Sequence, residues 1–257
     1  MFSASIDSIA IGGVPIVRSV EFIALASEVT VIIGPNGSGK STLLKGLSGD
    51  LHCRGRVAIN GQDCRSLKPW ETASLRAVLP QHSTLSFPFT VREVVAMGLT
   101  GGRSGVPAAE QERLPERALE RVDLAGFAGR YYGDLSGGEQ QRVQLARVLC
   151  QVWDPVLDGE PRYLLLDEPV SSLDVKHQIL VMRIAREFAD AGGGVVAILH
   201  DLNLTAMFAD RVLAMRSGTV AGFGAPDEVL TDGRMSDVFD CALRFHRDEA
   251  GTFVRLG

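Results

Sequence analysis

The sequence is short of three things, and each shortage closes off a class of protein. Only four cysteines, Cys53, Cys64, Cys150 and Cys241, occur in 257 residues. None forms a C-x-x-C pair or a zinc-like spacing, so free thiols in a reducing cytoplasm are expected rather than a disulfide framework. Apolar runs are short: no stretch approaches the roughly 18 residues that cross a bilayer, so the chain is not expected to span a membrane by itself. A basic surplus is missing too, with 26 Lys and Arg against 31 Asp and Glu and a formal net charge of -5. Nucleic acid is therefore not an expected partner. The start, MFSASIDSIAIGG, lacks a basic stretch followed by an apolar one, so no signal peptide is expected.

What is present suits a globular protein. Hydrophobic residues make up 46% and charged residues 22%, enough for one large domain or a core with a subdomain. Residues 6–23 mix short β-type runs around Gly-Gly-Val-Pro and predict a small antiparallel sheet. EVTVII (28–33) has the unbroken apolar character of a buried strand. STLLKGLSG predicts a helix ending at Gly49, GRVAINGQD a strand entering an Asn-Gly turn, and RAVLPQ a further short strand. From about residue 89 to 151 the texture becomes helical. Thr90 caps TVREVVAMGL with Glu93 at capping-box spacing, GGRSGVP predicts a flexible linker, and Pro115 restarts the helix that follows. Then come RYLLLD (strand), VKHQILVMRIAREFADAG (amphipathic helix capped by Gly192), GVVAIL (strand) and NLTAMFADRVLAM (helix into strand). Strands alternating with helices predict an α/β fold with a parallel sheet and an inserted helical subdomain.

The chemistry starts in GPNGSGKS, residues 34–41, which follows a predicted strand and opens a predicted helix. That context and the spacing G-x-x-x-x-G-K-[ST] are those of a P-loop. Gly34, Gly37 and Gly39 let backbone N–H groups turn towards phosphate oxygens, Pro35, Asn36 and Ser38 complete the nucleotide-binding loop, and the helix N-terminus adds partial positive charge. Lys40 reaches the β- and γ-phosphates, the Ser41 hydroxyl ligates Mg²⁺, and Thr42 follows in the first turn. YLLLDEP then places Asp167 at a strand end, to hold the Mg²⁺ water shell. Its neighbour Glu168 is the candidate to polarise an attacking water.

LSGGEQQRVQLAR, residues 135–147, is the most specific string in the chain. With the P-loop and the Asp-Glu pair it resembles the ATP-binding subunits of ABC transporters, whose signature is LSGGQ. The resemblance covers nearly the whole chain. It implies a P-loop NTPase (ABC ATPase) core with a parallel sheet, an N-terminal antiparallel β subdomain and an inserted helical subdomain. The implied limits are a single domain over 1–257, with 1–88 and 152–257 as the RecA-like core and 89–151 as the signature subdomain. Ser136, Gly137, Gly138 and Glu139 would clamp the ATP held by a partner subunit, giving a head-to-tail homodimer around two MgATP. Gln81 in LPQ resembles the Q-loop residue that reaches Mg²⁺, Asp174 in SSLD the D-loop residue, and His200 in AILHD the switch histidine at the γ-phosphate. Three positions depart from the pattern. No aromatic lies near Ile11-Gly12 to stack on adenine, Glu139 replaces the usual Gln, and Val170 stands where Thr or Ser is usual.

ATP hydrolysis leaves the task open, and two readings compete. One is a transport subunit, the other a soluble ABC ATPase. A DNA-repair type needs a long coiled-coil insertion, and a ribosome-acting type usually carries two cassettes, which leaves a cluster-assembly ATPase. STLSFPFTVREVVAMG favours transport, because Phe87, Phe89, Val91, Val94 and Met97 offer an apolar surface for a permease's coupling helix. QVWDPVLDGEPR, between signature helix and RYLLLD, adds a lineage. With AVLPQHSTLSFPFTV, LARVLCQVW and LDVKHQ it looks like the hemin-import ATPases, relatives of those serving ferric-siderophore and vitamin B12 importers. That resemblance implies two membrane permease subunits, a periplasmic substrate-binding protein reached indirectly, and a peripheral place on the cytoplasmic face of the inner membrane. Pro155, Gly159 and Pro161 end the helix and let Trp153 fold back as an anchor. The loop holds no His, Cys or Tyr as an axial ligand, so hemin is not expected to bind there.

Overall fold

The structure is a computed structural model and describes residues 1–81, 85, 87–248 and 251–256. It opens with a long hairpin, β1 (Phe2–Ile11) and β2 (Val14–Ala24), turning on Gly12 and Gly13 with φ of 58° and 82°. Two consecutive positive φ values make the turn whose twist matches antiparallel strands. β3 (Val29–Ile33) is buried along its whole length, as its unbroken apolar run requires. α1 (Lys40–Ser48) ends at Gly49 in the left-handed region. β4 (Cys53–Ile59) and β5 (Gln62–Asp63) flank the Asn60-Gly61 turn and complete a four-stranded sheet of order β2-β1-β4-β5.

After α2 (Pro69–Leu75) and β6 (Arg76–Leu79) come the helices of the middle region: α3 (Val91–Ala96), α4 (Ala108–Gln111), α5 (Leu114–Arg121) and α6 (Gly137–Gln151). Thr90 caps α3 in a reciprocal box with Glu93, and α5 begins afresh at Pro115. A small hairpin, β7 (Val156–Leu157) and β8 (Glu160–Pro161), leads into β9 (Tyr163–Asp167). The chain continues through α7 (Val175–Asp190), β10 (Gly194–Ile198), α8 (Leu202–Phe208), β11 (Arg211–Arg216) and β12 (Thr219–Gly224). It finishes with α9 (Pro226–Val229), α10 (Asp232–Phe239) and the hairpin β13 (Leu243–Asp248) and β14 (Gly251–Leu256).

The second sheet has the order β12-β11-β3-β10-β9-β6 and is parallel apart from β12. Crossover connections force strands that are distant in sequence to lie side by side. The carboxyl ends of β3, β9 and β10 therefore emerge together, Ile198 paired with Asp167 and with Ile32. Such a strand-end crevice is where open α/β sheets bind ligands. One apolar core fills the space between this sheet, the antiparallel sheet and α1; another joins its opposite face to α3, α5, α6 and α7. No helix among the described residues is long and apolar enough to cross a membrane. Cys53 and Cys150 are buried, Cys64 is half-buried and Cys241 is exposed, all as free thiols.

Two expectations are corrected here. GGRSGVP is a packed segment rather than a flexible linker: Ser104 is 3% exposed and its carbonyl accepts from Asp154 N at 3.1 Å and Arg162 Nη2 at 2.8 Å. The buried Arg162 also donates from Nε to Asp154 O at 2.6 Å and from Nη1 to the Arg103 carbonyl. A guanidinium taken out of water needs acceptors, and irregular backbone has carbonyls to offer. The apolar surface expected around 87–97 is smaller than its letters suggest. Val91 and Val94 are fully buried, Phe89 and Met97 half-buried, and Phe87 alone of the five is widely exposed. Val91, Val94 and Val95 share one helical face, and that face packs on α6.

Candidate functional site

At the end of β3 the chain enters the Gly-rich loop. Gly34 has φ of 150°, and a Cβ there would overlap the Met215 carbonyl oxygen. Gly39, with φ of 97°, is the N-cap of α1. Lys40 is 5% exposed and folds back over the loop, its Nζ donating to the carbonyls of Gly34 at 2.8 Å and Pro35 at 3.0 Å. Burial pulls its pKa down, against the opposing pull of Glu168 and Asp167. The back of the loop rests on the β11–β12 turn, where Gly218 N donates to Ser38 O at 3.0 Å. Sequence reading missed this support; its signal is the Ser217-Gly218 pair, both at positive φ between two strands.

The carboxylates lie opposite. Asp167, the last residue of β9, is 4% exposed and accepts a 3.1 Å hydrogen bond from Ser41 Oγ. Burial raises its pKa, and the Ser41 hydrogen bond works against that rise. Glu168 follows with φ of 51°. A non-glycine residue in that region costs on the order of 1–3 kcal/mol and persists only where its surroundings hold it. Its carbonyl accepts from Ser171 N at 3.3 Å, Ser171 Oγ at 3.2 Å and Gln141 Nε2 at 2.9 Å. Its carboxylate accepts from Gln81 Nε2 at 2.8 Å, and its other oxygen lies 2.6 Å from His200 Nε2. Gln81, Glu168 and His200 come from three distant segments and meet at one group.

The hydroxyl of Ser41, the carboxylate of Asp167 and the amide oxygen of Gln81 are hard oxygen donors, the set that suits Mg²⁺. The described residues hold no cluster of three or more His, Cys, Asp or Glu that would cage a metal alone.

The signature residues line a separate cleft with Arg142, Ser172, Asp174 and His177. Ser136 caps α6, and a reciprocal box joins it to Glu139, with Ser136 N and Oγ donating to Glu139 Oε2 at 2.8 and 2.6 Å. These hydrogen bonds hold the Glu139 carboxyl below its usual range. Gly138 packs close to the Ser172 carbonyl, where a Cβ would sit at 3.1 Å. Asp174 caps α7, accepting from His177 N at 2.9 Å. Thus P-loop, Gln81, Asp167, Glu168 and His200 form one group, and Ser136–Glu139 with Asp174 another. At the tip of the first hairpin Ile11 and Val14 are exposed aliphatics.

The chain is similar to known proteins over most of its length. A family described as ABC transporter matches residues 17–171. A hemin import ATP-binding protein, HmuV, of Mesorhizobium japonicum is 64% identical over 244 residues, covering 95% of this chain and 93% of that protein. Its counterpart in Rhizobium meliloti is 56% identical over 245 residues, with the same two shares of 95% and 93%. Among solved structures, the ATP-binding subunit of an ABC transporter superposes with a TM-score of 0.78 at 22% identity, covering 94% of this chain and 95% of that one. A dimeric bacterial ABC transporter cassette superposes with a TM-score of 0.75 at 25% identity, covering 88% and 99%. By the family match over residues 17–171 and the high identity of these relatives over nearly its whole length, the chain belongs to the ABC transporter family, as an ATP-binding subunit and an ATPase.

Proposed function

We propose that this protein hydrolyses ATP to drive hemin import through a membrane permease. The observation that carries the hydrolytic part is the convergence of Gln81 and His200 on Glu168, beside Lys40, Ser41 and Asp167. Residues 34–42 bind the phosphates, and Lys40 leaves the Gly34 and Pro35 carbonyls to meet them. Ser41, Gln81 and Asp167 would hold Mg²⁺, which would supply charge neutralisation on the phosphates. Glu168 orients and polarises the attacking water once Gln81 and His200 part from it, and His200 turns to the γ-phosphate.

Two copies close head to tail, as the resemblance to ABC transporter ATP-binding subunits implies, and the separate cleft lined by Ser136–Glu139 supports that reading. Each signature helix then meets the nucleotide of the other copy, with Asp174 at the crossing. Residues 1–88 and 152–257 act as the core and 89–151 as the subdomain bearing the signature. Phe87 is an exposed aromatic that would be offered to a permease, and the subunit sits peripherally on the cytoplasmic face of the inner membrane. A homodimer serves two permease subunits, and a periplasmic binding protein selects the substrate. Hemin as that substrate is supported by the names of the relatives.

The test is uptake in a strain lacking this chain. Restoring the wild type should restore hemin uptake, and Glu168→Gln should not; restored uptake of ferric siderophore or vitamin B12 in place of hemin refutes the substrate. In vitro, Glu168→Gln should accumulate an ATP-bound dimer visible by light scattering, and parental turnover by that variant removes Glu168 from its role.

A further inference from the structure

A side chain of the signature helix is hydrogen-bonded to the backbone of Glu168 in its own chain. Gln141 lies in the second turn of α6, just past the Ser136–Glu139 cap. Its Nε2 donates to the Glu168 carbonyl at 2.9 Å, the shortest of three donors on that oxygen. The other two come from Ser171, within the same loop as Glu168. Among the described residues, Gln141 alone brings that oxygen a donor from the helix that carries the clamp.

The oxygen end of the same amide is informative. Among the described residues, Gln141 Oε1 is buried with no hydrogen-bond partner. A packing role would be served better by a leucine of similar size, which buries no orphaned acceptor. The donor end must therefore repay the polar side chain, and it acts on a residue whose left-handed backbone depends on its neighbours.

We infer that Gln141 is a positioning residue: it sets the Glu168 backbone, and so the aim of the Glu168 carboxylate, according to where α6 sits. The inference rests on reading Glu168 as the residue that activates water. In a head-to-tail dimer it has a further result. The clamp of one subunit engages the partner's ATP, while Gln141 of that subunit acts on the Glu168 facing its own ATP. Closure at one nucleotide is thereby reported to the other, which is a coupling between two sites.

The experiment uses the full chain with Gln141→Leu, Gln141→Glu and, as control, Glu168→Gln. Melting temperature, ATP affinity, kcat, KM and the Hill coefficient for ATP hydrolysis are measured. Both Gln141 variants should fold and bind ATP within about twofold of wild type, yet lose roughly tenfold or more in kcat. The Hill coefficient should fall from above one towards one. Gln141→Glu keeps the shape but loses the donor, and regains one when the introduced carboxyl is protonated. Its activity relative to wild type should therefore rise as pH falls, while that of Gln141→Leu stays level. Wild-type kcat and Hill coefficient in both Gln141 variants, with Glu168→Gln inactive, overturn this inference alone, as does a wild-type Hill coefficient of one. Parental turnover by Glu168→Gln overturns the reading of Glu168, and this inference with it.

Discussion

Asp167 is held where water hardly reaches it, and that has a thermodynamic sign. Burial raises its folded pKa above the unfolded value, so the folded state binds its proton more tightly. Stability from this group is present below the unfolded pKa and is lost as pH rises through the folded one. Asp167→Asn should therefore raise the melting temperature of nucleotide-free protein at neutral pH, while abolishing hydrolysis. The gain should shrink as pH falls to about 4, near the unfolded carboxylate range, which calorimetry at the two pH values checks. At this scale the sequence names residues that the fold brings near one another: Ser41 meets Asp167, and Gln81 and His200 both meet Glu168. The left-handed turn of Glu168 and its tie to Gln141 are not readable, because they join residues 27 positions apart through side-chain placement alone.

QVWDPVLDGEPR is the element whose purpose the structure clarifies. It straps the helical region to the start of β9: Trp153 lies under the guanidinium groups of Arg117 and Arg121 on α5, and Arg162 threads its guanidinium among three carbonyls. Burial pushes the Arg162 pKa down to about 10, which leaves it charged at neutral pH. Arg162→Met strips those carbonyls of a charged donor and should cost about 3 kcal/mol, lowering the melting temperature by roughly 6–12 °C. Trp153→Ala should cost about 2 kcal/mol, since the ring is only half-buried, and leave ATP affinity unchanged by titration calorimetry. Helix starts such as Thr90 and Ser136 are readable because a cap is written within four residues. Whether Val91 faces solvent or α6, and whether 101–107 hangs loose or packs, depends on partners far along the chain.

For the whole molecule, the proposed head-to-tail dimer would make self-association part of the activity. ATP at 100 times its Kd should stabilise Glu168→Gln by about 2.7 kcal/mol, a rise of roughly 5–11 °C. That rise should grow with protein concentration, since two chains share each nucleotide, and Ser136→Ala should remove the concentration dependence while keeping a smaller shift. Scanning fluorimetry over a dilution series reads both. The distribution of thiols gives a way to watch the closure itself. Burial raises the pKa of Cys53 and Cys64 and pushes Cys150 up to about 12, so their reactive thiolate forms are scarce at neutral pH. Cys241, exposed beyond the end of α10, is the open site for attachment. A spin label introduced without mutagenesis would mark each subunit once, and the single inter-label distance in a dimer would become a ruler for the nucleotide cycle.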